Sequence, residues 1–197
     1  VLGYSRLLWV QFYPRQTMRT LMTGLEEAFA FCGGVPHELL FDQLKAVILE
    51  DRRPAGGRVL ENPEFLRFAA HWGFRIRACR PYRAQTKGKV ERPIRYVRQS
   101  FLYGRAFAGD ADLNAQVLHW LATVANVREH GTTHEPPTVR FERDERVALQ
   151  PLAAHPYRSL VLLPDTAPVP ARQSTVPRIP VERRPLTAYA ALAAGAR

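Results

Sequence analysis

A mixed α/β domain is what this sequence predicts, on three observations. Apolar residues in the first hundred positions fall by turns into short strand-like runs and helical stripes, the pattern of a sheet covered by helices. Apolar types make up 46% of the 197 residues, enough for one sizeable core. Gly33-Gly34, Asn62-Pro63 and Gly73 mark where elements stop and start.

Taken in order, Val1–Tyr13 (VLGYSRLLWVQFY) reads as two strands around a turn at Gly3–Arg6, the second apolar enough to be buried on both faces. Thr17 can cap a helix running to about Cys32, with Met18, Leu21, Met22, Leu25, Ala28 and Phe29 on one stripe. Gly33-Gly34 ends it, and Pro36 keeps it from resuming. His37–Phe41 holds a short apolar strand, ELLF, with Asp42 at its end. A second apolar stretch, Lys45–Leu49, precedes a polar loop, Glu50–Arg58. Asn62-Pro63 opens a helix with Pro at its first position, an apolar face of Phe65, Phe68, Ala69 and Trp72, and a stop at Gly73. In Phe74–Cys79 the apolar Phe74, Ile76 and Ala78 alternate with Arg75, Arg77 and Cys79, a half-buried strand.

The stretch Arg80–Phe101 turns helical. Val90, Ile94, Val97 and Phe101 share one stripe, expected to be buried, and Lys87, Glu91, Arg95 and Arg98 share the adjacent one. Pro93 disfavours helical geometry at Arg92, so the helix either starts there or kinks there. Asp112 is a candidate cap for a helix carrying Leu113, Val117, Trp120, Leu121 and Val124. Residues 132–150 read as a loop and a short charged helix, and 157–163 (YRSLVLL) as a short strand. Trp72 and Trp120 are expected in the core. Residues 164–197 contain six prolines and one aromatic, the composition of an extended tail, within which 185–194 could form a short helix on a partner. The chain thus divides into 1–105, a helical and short-strand extension over 106–163, and the tail.

Charge narrows the function. Residues 51–105 carry fourteen basic and four acidic groups, while residues 1–50 carry four and five and residues 106–197 ten and nine. The whole excess of the +10 chain therefore sits in one segment, which favours a polyanionic partner, most commonly nucleic acid. From Arg75 to Arg98 nine cations surround one acid, Glu91. Such a carboxylate is either an ion-pair partner of Lys87 or Arg95, or a metal ligand beside a polyanion. Asp42 is likewise either a turn acid or a site acid. Cys32 and Cys79 are too few for a disulfide framework, and the six histidines show no zinc spacing with them. No apolar run is long enough to span a membrane and no signal peptide is evident, so a reducing cytoplasm is expected. The chain has no initiator Met and begins inside an apolar stretch, which suggests a fragment.

Several stretches resemble a known family. LLFDQLKAV (39–47) and RPYRAQTKGKVERPIRYVRQSFL (80–102), preceded by VLGYSR and AFAFCGGVPHELLFD, are similar to the integrase catalytic core of the insertion-sequence-21 type transposases. Those enzymes belong to the DDE group, with a ribonuclease-H-like fold. The resemblance covers roughly Val1–Pro151, and its KGKVER motif is specific within this superfamily. It implies a ribonuclease-H-like mixed sheet flanked by helices, with residues 1–105 as a partial core. It implies Asp42 and Glu91 as catalytic ligands of Mg²⁺ or Mn²⁺, and Arg80, Arg83, Lys87, Lys89, Arg92, Arg95 and Arg98 as DNA contacts. Two Mg²⁺ ions would serve an in-line displacement at phosphorus, giving strand cleavage and strand transfer. The implied partners are transposon ends and target DNA, further copies of the chain, and an ATP-hydrolysing helper protein. The family usually has Asp-Asn where this chain has Asp42-Gln43, a change that keeps the carboxylate. The family's first Asp lies on a strand upstream of VLGYSR, and no acid precedes Glu26 here. The expectation is a core lacking its first strand and first acid, and hence inactive alone. The alternative is a non-catalytic remnant that binds DNA or multimerises.

Overall fold

The computed structural model describes residues 1–42, 44–79 and 92–160. Glu91, Arg80, Arg83, Lys87, Lys89 and Val90, the last three residues of the expected 157–163 strand, and the Pro-rich tail with its short helix lie outside the described residues. Within them, no helix is long and apolar enough to cross a membrane.

Helix α1 spans Met18–Cys32. Thr17 caps it, its hydroxyl accepting from the Thr20 N–H at 3.1 Å, which satisfies a donor that a helix start leaves open. Gly33 ends it in the left-handed region (φ 69°), its N–H returning to Ala30 O. A Cβ there would be strained, so glycine is the residue that fits. Strand β1 (Glu38–Phe41) follows, and pairs in parallel with β4 (Arg75–Ala78), Glu38 opposite Arg75 and Phe41 opposite Ala78. Parallel neighbours need a long crossover. Here it holds an antiparallel hairpin, β2 (Ile48–Asp51) with β3 (Val59–Glu61), and helix α2 (Pro63–Trp72). Asn62 caps α2 through the Glu64 N–H, Pro63 opens it and Gly73 closes it, as the sequence pattern requires. The expected loop at Glu50–Arg58 instead begins as the last two residues of β2, and only the rest is the tip of the hairpin. A three-residue β3 is too short to show alternation. The described strands form two separate pairs within the α/β class.

The first core lies where α1, α2, the inner face of β1–β4 and the start of β2 meet. Phe29, Val35, Val47, Phe65, Phe68, Trp72 and Phe74 are buried in it, with Leu39, Phe41, Ile76 and Ala78 packed against them. The rings meet edge to face: Phe41 and Phe65 at 5.2 Å, Phe68 and Phe74 at 5.9 Å. Each such ring contributes about 1.5–3 kcal/mol by leaving water, with about 0.5–1.5 kcal/mol more for the aromatic pair.

A second core joins residues 8–12 to helix α3 (residues 92–97, continuing as a wider turn through Arg98–Leu102) and helix α4 (Asp110–Trp120, widening through Leu121–Ala125). Phe101, Val117, Trp120 and Leu121 are fully enclosed. Among the described residues, helical geometry is present from residue 92. Ile94 departs from expectation: it is 49% exposed, because the buried contacts of α3 involve Tyr96, Val97 and Phe101 instead. Tyr96 meets Trp120 at a tilt, ring centres 5.3 Å apart. Asp112 is not the cap of α4 either. Gly109 occupies that position, and Asp112 reaches back to accept the Ala108 N–H at 2.8 Å.

The largest correction concerns Val1–Tyr13. The turn forms, with Leu2 N–H on Leu7 O at 2.9 Å, but the segment pairs with no strand among the described residues. Its partners are side chains. Asn126 accepts the Leu8 N–H and donates to Leu8 O, both at 2.8 Å, and Asn114 does the same for Phe12 at 2.8 and 2.9 Å. An asparagine amide carries one acceptor and a donor side by side, so each imitates one residue of a neighbouring strand. Leu8, Val10 and Phe12 turn to the second core, whereas Leu7 packs on Cys32 and Phe141.

Helix α5 (Pro137–Arg140) extends through wider and tighter turns to Ala148, the expected short charged helix. Residues 149–160 then return over α1 and α2 without forming a strand, apart from one bridge between Gln150 and Val35. Gln150 donates to Gly73 O at 2.9 Å. Tyr157 gives its hydroxyl to Glu64 at 3.0 Å and its N–H to Glu26 at 2.8 Å.

Candidate active site at the strand ends

Asp42 is the residue immediately after β1, exposed at the carboxyl end of the parallel pair. Its carbonyl accepts the Leu44 N–H at 2.6 Å, so the chain turns sharply there. The two strands end level: Cys79 N–H donates to Phe41 O at 2.9 Å, one residue before Asp42.

The hairpin supplies a residue that nothing in the sequence singles out. Arg53, just after β2, donates to Ala78 O at 3.2 Å and to Cys79 O at 2.9 Å. Carbonyls at the end of a strand lack a ladder partner, and a guanidinium has donors enough to serve both. Asp51 holds that guanidinium from the other side, with contacts of 2.8 and 2.6 Å and a further bond from the Arg53 N–H at 3.1 Å. The Asp51 side chain is only 4% exposed. This bidentate pair fastens the hairpin to the end of β4. The signal available in sequence is DRRP, an acid and two arginines before a proline, but nothing local says that the second arginine reaches another strand.

Burial pushes the Cys79 thiol up. Asp42 pushes it further and Arg53 works against both. Cys79 therefore stays protonated near neutrality and feels both neighbours at this end.

Of the expected DNA contacts, Arg92, Arg95 and Arg98 are described. They lie three residues apart on α3, exposed, with no ion pair among the described residues. That spacing puts them on neighbouring positions of one side of the helix. Arg75 and Arg77, the first two cations of the basic block, are instead held by Glu38 at 3.0 and 2.9 Å on the outer face of the sheet. The hydrogen bond from Arg77 outweighs the cost of desolvation and holds the Glu38 carboxyl below its usual value. Among the described residues no three acids, histidines or cysteines gather as a metal cluster. Asp42 is described and its expected companion Glu91 is not.

No family model matches the chain. Curated proteins do, and those most similar are insertion-sequence transposases by name. The chain is 42% identical over 156 residues, 79% of its length, to a putative transposase for element IS5376 of Geobacillus stearothermophilus. It is 39% identical over 77% of its length to the transposase of IS21 from Pseudomonas aeruginosa, and 38% identical over 71% to that of IS640 from Shigella sonnei. The chain belongs to the IS21-type family of insertion-sequence transposases. It spans 38%, 38% and 44% of these relatives' own lengths.

Proposed function

We propose that residues 1–197 are part of the catalytic region of a metal-dependent DNA transposase with a ribonuclease-H-like arrangement. Asp42 and Glu91 hold Mg²⁺ or Mn²⁺, and the arginines and lysines of 80–98 hold DNA. One observation carries this reading. A carboxylate stands at the carboxyl end of a parallel strand, where α/β proteins gather their chemistry, in a chain homologous to transposases.

The donor chemistry fits the ion. Asp42 offers hard oxygens, which Mg²⁺ selects over the soft sulfur of Cys79. Asp51 is committed to Arg53. Glu26, the first acid of the sequence, is committed as well, accepting the Trp72 indole N–H at 3.2 Å and the Tyr157 N–H. Neither of these two acids is a companion for Asp42. Asp42 and Glu91 would hold a divalent ion, and the chemistry it would supply is neutralisation of charge on a phosphodiester. Arg92, Arg95 and Arg98 hold the phosphates without reading sequence. Water and then a DNA 3′-hydroxyl are the nucleophiles. The substrates are the element's ends and a target. The protein works in the cytoplasm as an oligomer of identical chains, assisted by an ATP-hydrolysing helper protein of the same element.

The test is strand transfer by the full-length transposase on labelled element ends. Asp42→Asn and Glu91→Gln should each lower the rate about 100-fold or more, the scale on which transition-state charge stabilisation is lost. Undiminished transfer by either variant overturns the assignment. Salt-sensitive DNA binding with no strand chemistry in the full-length protein favours a non-catalytic DNA-binding remnant instead.

A further inference from the structure

The hairpin β2–β3 has a built form that the fold around it does not require. Its base is fixed at the strand end by the Asp51–Arg53 pair. Its tip, residues 52–58, carries three arginines and no acid. Arg52 and Arg58 stand across from each other, joined by the Arg52 N–H on Arg58 O at 3.1 Å. The turn between them is tight, with Gly57 N–H on Arg52 O at 2.8 Å. A Cβ on Gly57 would come within 2.7 Å of Arg52 Cβ, and Gly56 is left-handed at φ 77°. Both glycines are thus needed to bring the two arginines together.

Both side chains are available to a ligand. Arg58 is exposed and has no ion pair among the described residues. Among the described residues Arg52 pairs only with Glu50, at 2.7 Å, and both side chains of that pair are more than half exposed. An exposed pair of this kind is worth little and exchanges readily for a phosphate. No large apolar residue stands at the tip, where Pro54 and Ala55 are the only uncharged non-glycine residues. The surface therefore suits a hydrated polyanion.

We propose that this hairpin is a phosphate clamp, in which Arg53 and Asp51 fix the arm beside Asp42 and Arg52 and Arg58 grip the backbone of a DNA strand lying across the strand ends. The inference rests on DNA being the partner, as in the proposed function. Its contribution is a second set of phosphate-binding cations, separate in sequence from the basic block of 80–98. Such cations position the strand without reading its bases.

The experiment measures binding of the 197-residue chain to a duplex of arbitrary sequence across a salt series. Removing one cation that neutralises a phosphate flattens the slope of log K against log salt by about 0.9. Arg52→Gln with Arg58→Gln should flatten it by about 1.8 at an unchanged melting temperature. Arg92→Gln with Arg95→Gln serves as the comparison variant. A slope unchanged in the hairpin variant but flattened in the α3 variant overturns the clamp and leaves the DNA reading standing. Absence of salt-dependent binding by the unaltered chain overturns both. Hydrogen exchange on the unaltered chain gives an independent readout: amides of 52–58 should be protected when DNA is added. An unprotected tip at saturating DNA contradicts the clamp even if the variants misfold.

Discussion

The two ends of the β1–β4 pair are built differently. At the amino end the returning segment closes the sheet: Gln150 bridges Val35 and also reaches Gly73, and Leu149 lies against Gly34. Polar groups there are satisfied within the fold and the space is filled. At the carboxyl end the described residues leave charge exposed. Asp42 is exposed, and an ion pair between Asp51 and Arg53 ties the hairpin tip to the end of β4, beyond the apolar contacts that Ile48 and Val59 make with the core. One end is arranged for stability and the other leaves charge accessible. That separation should let Asp42 change without disturbing the core, and the core change without moving Asp42.

The largest expected effect lies in the closed half. Phe65→Ala removes a fully buried ring that touches Phe41, Phe68 and Phe74. It should cost about 3–5 kcal/mol in denaturant unfolding. Next is Gly34→Ala, whose Cβ would lie 2.7 Å from Leu149 Cβ and 2.8 Å from Gln150 O. Forcing the returning segment away should cost about 1–3 kcal/mol, with the salt dependence of DNA binding unchanged. A Gly34→Ala variant of unaltered stability would show that the closed end has room to spare.

A smaller effect is pH-dependent. Burial pushes the Glu64 carboxyl up, but hydrogen bonds from Ser159, Arg67 and Tyr157 outweigh it, so its pKa is lowered on folding. A lowered carboxylate contributes stability that is full above its unfolded pKa, about 4.3, and is lost as pH falls through the lower folded value. Glu64→Gln should therefore flatten the acid limb of the stability profile, read as melting temperature against pH. An unchanged acid limb would mean that the returning segment does not depend on that charge. The smallest effect belongs to the open end. Gly57→Ala should splay the hairpin tip and weaken DNA binding while shifting global stability by no more than about 0.5 kcal/mol, as for a surface site.

What can be read from sequence follows the same division. Helices α1 and α2 are legible because their signals are local: Thr17 and Gly33 bracket one, Asn62-Pro63 and Gly73 the other, and the stripes between them face the core. Strand β1 with Asp42 at its end, and the alternation that makes β4, are equally local. The extended segment 7–12 is legible as apolar but not in its pairing, because Asn114 and Asn126 lie more than a hundred residues away. Arg53 is hidden for the same reason. Its role depends on two carbonyls twenty-five and twenty-six residues further along, and composition shows only one more arginine in a polar stretch.

The separation of the two ends is tested most directly by making Asp42→Asn in the full-length transposase and measuring strand transfer and unfolding on the same preparation. Transfer should fall about 100-fold or more while stability changes by no more than about 0.5 kcal/mol. Transfer that persists, or that falls only in proportion to the folded protein remaining, would contradict a chemical role for the open end.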